Sequence, residues 1–291
     1  MDDLVAEASF AHVEGAGVRR TSLHRALVDR AAGIGVRMAW GSTVRGLEGD
    51  RIATDGGYLK SDWIVGADGL HSRVRTWTGL ENPRIRFRRH GVRRHYRVSP
   101  WTDHVEVYWA DGCEAYVTPV ADDRVGVAIL WSGNKADFEG LLGRLPSLNR
   151  RLRGATPCSR HRGAGQLEQR TRGVHRGRVA LVGDAAGYRD AITGEGLSVG
   201  FYMARSLVGA IVAGDLGLYD KAVRRWVALP FFLIRLLLEV ERRPRLRRRM
   251  IRTLADDGAL FERLLAVHAR QRPARSVGAR GVLRLARGLL G

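Results

Sequence analysis

One stretch constrains this chain more than any other: Arg178-Val179-Ala180-Leu181-Val182-Gly183-Asp184-Ala185-Ala186-Gly187, completed by Thr193-Gly194-Glu195-Gly196-Leu197. An apolar run closed by glycine predicts a short strand buried on both faces of a parallel sheet. Gly183 then lets the backbone pass close to a ligand, and the Asp184 carboxylate can accept from a sugar-like hydroxyl. The Gly194-Glu195-Gly196 turn opens a helix predicted from about Gly196 to Ala213. Its first amides lack intrahelical partners and suit developing negative charge. Taken alone, the same residue types also make an ordinary tight strand-to-helix connection.

A second string repeats the plan: Asp62-Trp63-Ile64-Val65-Gly66-Ala67-Asp68-Gly69-Leu70-His71-Ser72-Arg73-Val74-Arg75. An apolar run again ends in a small residue, an acid and a glycine, and a helix follows. Asp68 at the carboxyl end of a strand stands where open α/β sheets bind ligands. Ser72 also reads as a plain N-cap, and Arg75 as a surface residue.

Together the two strings resemble the para-hydroxybenzoate hydroxylase superfamily of FAD-dependent enzymes, which includes aromatic-ring monooxygenases, flavin halogenases and geranylgeranyl reductases. Asp68-Gly69-Leu70-His71-Ser72-Arg73-Val74-Arg75 matches its Asp-Gly motif; Gly183-Asp184 with Gly194-Glu195-Gly196 matches its Gly-Asp motif. Arg20 in Arg19-Arg20-Thr21-Ser22 aligns with a flavin-contacting arginine of that family, and Asp190-Ala191-Ile192-Thr193-Gly194-Glu195-Gly196 looks most like its reductase-like branch. A halogenase is less well matched, because its Trp-x-Trp-x-Ile-Pro string is not found.

The resemblance implies an α/β fold: a Rossmann-like, three-layer FAD/NAD(P)-binding domain with an inserted antiparallel substrate sheet and a helical C-terminal tail. Domain limits are expected at 1–80 with 165–216 for the FAD-binding domain, 81–164 for the substrate domain and 217–291 for the tail. It also implies that Asp184 bonds the ribityl chain of FAD. Asp68, Gly69, Ser72 and Arg75 shape the pyrophosphate region, Gly183 gives close approach, and the helix at Gly194, Glu195 and Gly196 aims its positive end at the flavin. A helix terminus is typically worth about 0.3–1 kcal/mol to an adjacent anion, which favours the reduced flavin. NAD(P)H is the implied reductant.

The family opens on a strand and a Gly-x-Gly-x-x-Gly turn that cradles the pyrophosphate. Gly15-Ala16-Gly17-Val18-Arg19-Arg20 is the nearest string, and it carries Arg20 at the last glycine position. The sequence therefore reads as N-terminally truncated by roughly 70–90 residues, through a true loss or a misplaced start. Such a chain is expected to be unstable or to associate, and to hold FAD weakly.

Between the motifs the pattern alternates: Val105, Val107 and Trp109, then Tyr116 and Val117, then Val125, Val127 and Ile129, with turns at Asp111-Gly112 and Ala121-Asp122-Asp123. That predicts an antiparallel sheet. Trp101, Tyr108 and Tyr116 are candidates to line an apolar substrate pocket, with Trp109 and Trp131 beside them, though ordinary sheet packing explains them as well. His95 and His104 are possible acid–base groups. A helix is predicted over 20–35, a strand over Val36 to Val44, and helices after Asp215 broken at Pro230, Pro244 and Pro273.

At 291 residues, 45% hydrophobic and 27% charged, the chain has enough apolar material for a core, which excludes a disordered tail or a disulfide scaffold. Cys113 and Cys158 match no metal or redox spacing, and no signal-like segment opens the chain, so a cytoplasmic location is expected. The net charge of +19 is concentrated: residues 222–291 hold 17 arginines against five acids. Aromatics are not interleaved there as nucleic-acid stacking requires, so nucleic acid is not the expected partner. A solvated helical cap, or peripheral contact with an anionic membrane, fits better.

The reading is thus an NAD(P)H-driven, FAD-dependent monooxygenase acting on a hydrophobic or aromatic small molecule. Alternatives are an isoprenoid reductase of the geranylgeranyl reductase type and, from another class, a non-catalytic remnant or a basic polyanion- or membrane-surface binder.

Overall fold

The computed structural model describes residues 4–10, 15–134 and 136–290. After α1 (Arg20–Gly33) come β1 (Val44–Glu48), β2 (Arg51–Thr54), β3 (Gly57–Lys60), β4 (Ile64–Gly66) and α2 (Arg73–Trp77). Then follow β5 (Glu81–Asn82), β6 (Arg89–Arg97), β7 (Glu106–Ala110), β8 (Cys113–Ala121), β9 (Arg124–Ser132), α3 (Phe138–Gly143) and α4 (Pro146–Arg151). Short strands β10 (Thr156–Pro157), β11 (Arg162–Gly165), β12 (Arg170–Thr171) and β13 (His175–Arg176) lead into β14 (Val179–Leu181). The chain ends in α5 (Gly196–Val212), α6 (Leu216–Glu241), α7 (Pro244–Asp256), α8 (Gly258–His268) and α9 (Gly278–Leu290).

The two motif strands are neighbours. β14 pairs parallel with β4, Val179 opposite Ile64 and Leu181 opposite Gly66, and β13 closes the far side. Gly66 is dictated by packing: a β-carbon there would stand 2.7 Å from Val74 Cγ1 of α2. β14 is buried throughout, as its apolar run predicts, but β4 is not, since Val65 on its open side is 47% exposed. Helix α5 lays Met203, Leu207 and Ala210 over this layer, and Tyr219 of α6 donates its hydroxyl to the Leu181 carbonyl at 2.6 Å.

The alternating region forms an antiparallel sheet in the order β10-β6-β9-β8-β7, with β11 also on β6. One face carries Val92, Tyr96, Ala115, Val117, Val127 and Ile129, covered by Leu141, Leu142 and Leu148 of α3 and α4. A small cluster of Ile192, Ile234 and Leu238, with Phe87, Trp109 and Phe231 against it, joins the sheet's other side to α6.

Two expectations are corrected. Residues 36–43 form no strand; they are exposed irregular chain, and Gly41 takes φ +77°. Helix α1 forms as predicted, and it buries none of its residues, leaving Leu27 exposed. Pro230 does not break its helix: α6 runs through it. A proline withholds the N–H that the carbonyl four residues earlier needs. That carbonyl belongs to Trp226, and Arg270 Nη2 donates to it at 2.8 Å while the guanidinium lies 3.6 Å over the indole. Arg270 itself sits at φ +58°, a left-handed conformation that favours glycine. Pro244 opens α7, and Pro273 precedes a 3-10 turn. Among the described residues no helix is long and apolar enough to cross a membrane.

Candidate functional site

Asp68 begins the site from the β4 side. Its carboxylate is committed to the start of α2: Oδ1 accepts from the Ser72 hydroxyl at 2.5 Å, and Oδ2 from the N–H of Arg73 and Val74 at 2.8 and 3.1 Å. Ser72 in turn accepts from the Arg75 N–H at 2.9 Å. Both side chains therefore cap a helix in this structure, and Gly69 at φ +81° supplies the turn between them.

Arg75 is no surface residue; it is 2% exposed. Nη1 donates to the Ala185 carbonyl at 3.1 Å and the Asp184 carbonyl at 3.4 Å, and Nη2 to the Leu70 carbonyl and Gln169 Oε1, each at 2.9 Å. One guanidinium thus ties the Asp-Gly loop to the Gly-Asp loop across a sequence separation of 109.

After β14 the chain makes a single 3-10 turn over Gly183–Ala186. Gly183 takes φ +64° and lies against Gly200 of α5, where a β-carbon on Gly183 would be 3.9 Å from the Gly200 Cα. The Asp184 carboxylate receives no hydrogen bond from the described residues, and Oδ1 lies 3.9 Å from where a β-carbon on Gly196 would stand. It therefore sits at the first residue of α5, whose first protein-bonded amide to the preceding turn is that of Val199. Burial pushes the Asp184 carboxyl up from its ordinary range, and the charge of Arg20, at the head of α1, opposes that shift.

Asp184 opens on a cavity of about 210 Å³. Gly183, Tyr188, Glu195 and Gly196 line one side; Val223, Val227, Phe231 and Ile234 of α6 line the other, and charged side chains, among them Arg172, Arg189, Asp220 and Arg224, complete the wall. Gly194 turns the chain at φ +69°, and Glu195 is drawn toward α8, with His268 Nδ1 4.0 Å from its carboxylate.

Beside the cavity lies a buried charge cluster that the sequence analysis missed. Arg89 of β6 bonds Glu114 of β8 through Nη2 and Asp190 through Nε at 3.0 Å, and its Nη1 stands 3.5 Å from Glu241 at the end of α6. All four side chains are almost wholly buried. Burial raises the Glu114 carboxyl to about 7 despite Arg89, and Asp190 and Glu241 are raised for the same reason. Glu114 sits between Cys113 and Ala115 in an otherwise apolar strand, which was the available signal.

The aromatic candidates are split by the sheet. Tyr108 pairs with Ala115 and points with it into the core under α3 and α4, where its hydroxyl and the Trp101 indole N–H both donate to Glu106, each at 2.7 Å. Tyr116, one residue on from Ala115, takes the opposite face and donates to the Ile192 carbonyl at 2.8 Å. Only Tyr116 of the three reaches the Gly-Asp side. His95 is held on Ser159, and His104 pairs with Glu7 and Asp103; neither lines the cavity.

These residues suit one part of FAD. An acceptor without a protein partner, open amides at α5 and apolar walls match its ribityl and isoalloxazine portion. Among the described residues no glycine-rich strand–turn–helix is present for a pyrophosphate. Gly17 instead abuts β8, where a β-carbon would strike the Pro119 carbonyl oxygen.

AqdB1 of Rhodococcus erythropolis, named as a 2-heptyl-3-hydroxy-4(1H)-quinolone synthase, is 28% identical over 194 residues, 62% of this chain and 50% of its own length. The chain thus spans about half of that curated relative. Among solved structures, a flavoprotein/dehydrogenase of Cytophaga hutchinsonii superposes with a TM-score of 0.78 at 13% identity, covering 98% of this chain and 78% of its own. The flavin-dependent halogenase CmlS gives 0.63 at 19%, covering 80% and 46%. At those identities the likeness is one of fold. Residues 2–213 match the family described as FAD binding domain, and the chain belongs to that family.

Proposed function

We propose that this chain forms the flavin-contacting part of an NAD(P)H-driven monooxygenase that hydroxylates an apolar or aromatic small molecule, in the cytoplasm. The observation that carries the reading is Asp184: a half-buried carboxylate without a hydrogen bond from the described residues, set beside the open amides of α5 at the edge of a cavity with an apolar stretch of α6 on its far wall. The name of the quinolone synthase relative supports an aromatic substrate.

When bound, FAD supplies the electron transfer and oxygen chemistry. The protein's share is positioning. Asp184 would accept from ribityl hydroxyls, the Gly196 end of α5 would face the side where negative charge gathers, and Arg20 would balance charge near Asp184. Arg75 fixes the backbone of Asp184 and Ala185, so the acceptor is preorganised. Val223, Val227, Phe231 and Ile234 would give the ring system an apolar surface to lie against.

The test is FAD titration of the purified chain, followed by flavin fluorescence, beside Asp184→Ala. Saturable binding weakened about tenfold or more by the substitution is expected; binding indifferent to it overturns the assignment. NADPH-dependent oxygen uptake by the chain with its flavin separates hydroxylation from isoprenoid reduction, the reading favoured by the string Asp190 to Gly196.

A further inference from the structure

Among the described residues the outward face of α6 has no protein cover. Lys221, Arg225, Ala228, Phe232, Arg235, Leu236, Arg242 and Arg243 recur at helical spacing and are all exposed. Phe232 is 61% and Leu236 44% exposed, so two large apolar side chains stand in water at the centre of this stripe. Basic residues flank them at both ends and continue into α7 with Arg245 and Arg248. The one acid on the face, Glu239, is already paired with Arg243 and Arg86. Arg225, Arg235 and Arg242 make no ion pair among the described residues. The opposite side of the helix, Val223, Val227, Pro230 and Ile234, is turned into the cavity.

We infer that this face of α6 docks on an anionic lipid bilayer, lying in the interface with Phe232 and Leu236 inserted and the arginines at headgroup level. A bare run of arginines would suit any polyanion. The apolar pair at its centre is what selects a bilayer, because only a bilayer offers hydrocarbon beneath a sheet of negative charge. The excess of 17 arginines over five acids in residues 222–291 supplies the complementary field. Each arginine near such a surface raises partition about fivefold.

Sedimentation of the full chain with phosphatidylcholine vesicles, with and without phosphatidylglycerol, tests this at physiological salt. Partition onto the anionic vesicles alone is expected. Phe232→Ser with Leu236→Ser should lower it at least tenfold, and Arg235→Gln with Arg242→Gln by roughly 25-fold. All four positions are exposed, so the variants should melt like the parent, which circular dichroism checks. No partition, or equal partition onto neutral vesicles, overturns the inference. So does a serine pair that binds like the parent, particularly if duplex DNA competes with the vesicles, since that marks an unspecific polyanion surface.

Discussion

Arg75 donates to the Ala185 carbonyl at 3.1 Å, so the loop after one motif strand is held by a side chain from the loop after the other. Removing that guanidinium leaves the Ala185 and Leu70 carbonyls and Gln169 Oε1 without their donor, while the Asp184 carbonyl keeps the Gly187 N–H at 3.1 Å. Arg75→Met should cost roughly 2–4 kcal/mol of stability, measured by urea unfolding, because buried carbonyls go unpaired. Arg75→Lys should recover little, since one ammonium cannot replace the planar fork.

Asp184 should behave in the opposite sense. Its carboxylate is half-buried without a hydrogen-bond partner among the described residues, so Asp184→Asn should leave the thermal midpoint unchanged or raise it while weakening FAD binding. A differential scanning measurement beside the flavin titration reads both. A lowered midpoint would show that the carboxylate serves the fold.

The Arg89 cluster gives the chain a specific pH response. The Glu114 carboxyl is raised in the native state to about 7, so the folded chain binds a proton the unfolded chain has already released. That contribution is fully present below the unfolded value near 4.5 and is lost as pH climbs through about 7. Glu168 works the other way. Burial would raise it, but the N–H groups of Phe87 and Arg86 and the Arg170 guanidinium outweigh that and hold it low, so its contribution is lost on acidification. Urea midpoints of the chain and of Glu114→Gln, followed from about pH 4 to 8, should lie closest at the acid end, separate in favour of the glutamine as pH rises from about 4.5, and hold a constant gap above about 7.

Pro230 and Arg270 form a testable pair. Arg270→Ala should cost roughly 2–3 kcal/mol, by stranding the Trp226 carbonyl and losing the stacked guanidinium. Pro230→Ala restores the helical N–H, so in the double variant about 1 kcal/mol should return. Simple additivity in that cycle would mean that the carbonyl needs no donor.

Much of this architecture was legible in the chain. The apolar runs of β4 and β14 and the alternation of β6 to β9 are local patterns, and each became a strand. Partnerships across long separations were not legible: Arg89 meets Asp190 from 101 residues away, and strand periodicity does not name a partner. Pro230 misled for the same reason, because the donor that satisfies the freed Trp226 carbonyl lies 44 residues beyond Trp226. The stretch at 36–43 has strand-like composition but no neighbouring strand to complete it. Sequence also could not decide between Asp68 as ligand and Asp68 as helix cap, since both uses ask for an acid before a serine.

Helix α6 runs for 26 residues, about 39 Å, with the cavity wall on one flank and the open arginine stripe on the other. A stiff rod employed on both flanks has no slack between them. A tilt imposed from outside must carry Val227 and Phe231 with it, so the volume facing Asp184 and the load on the outer stripe are mechanically a single variable.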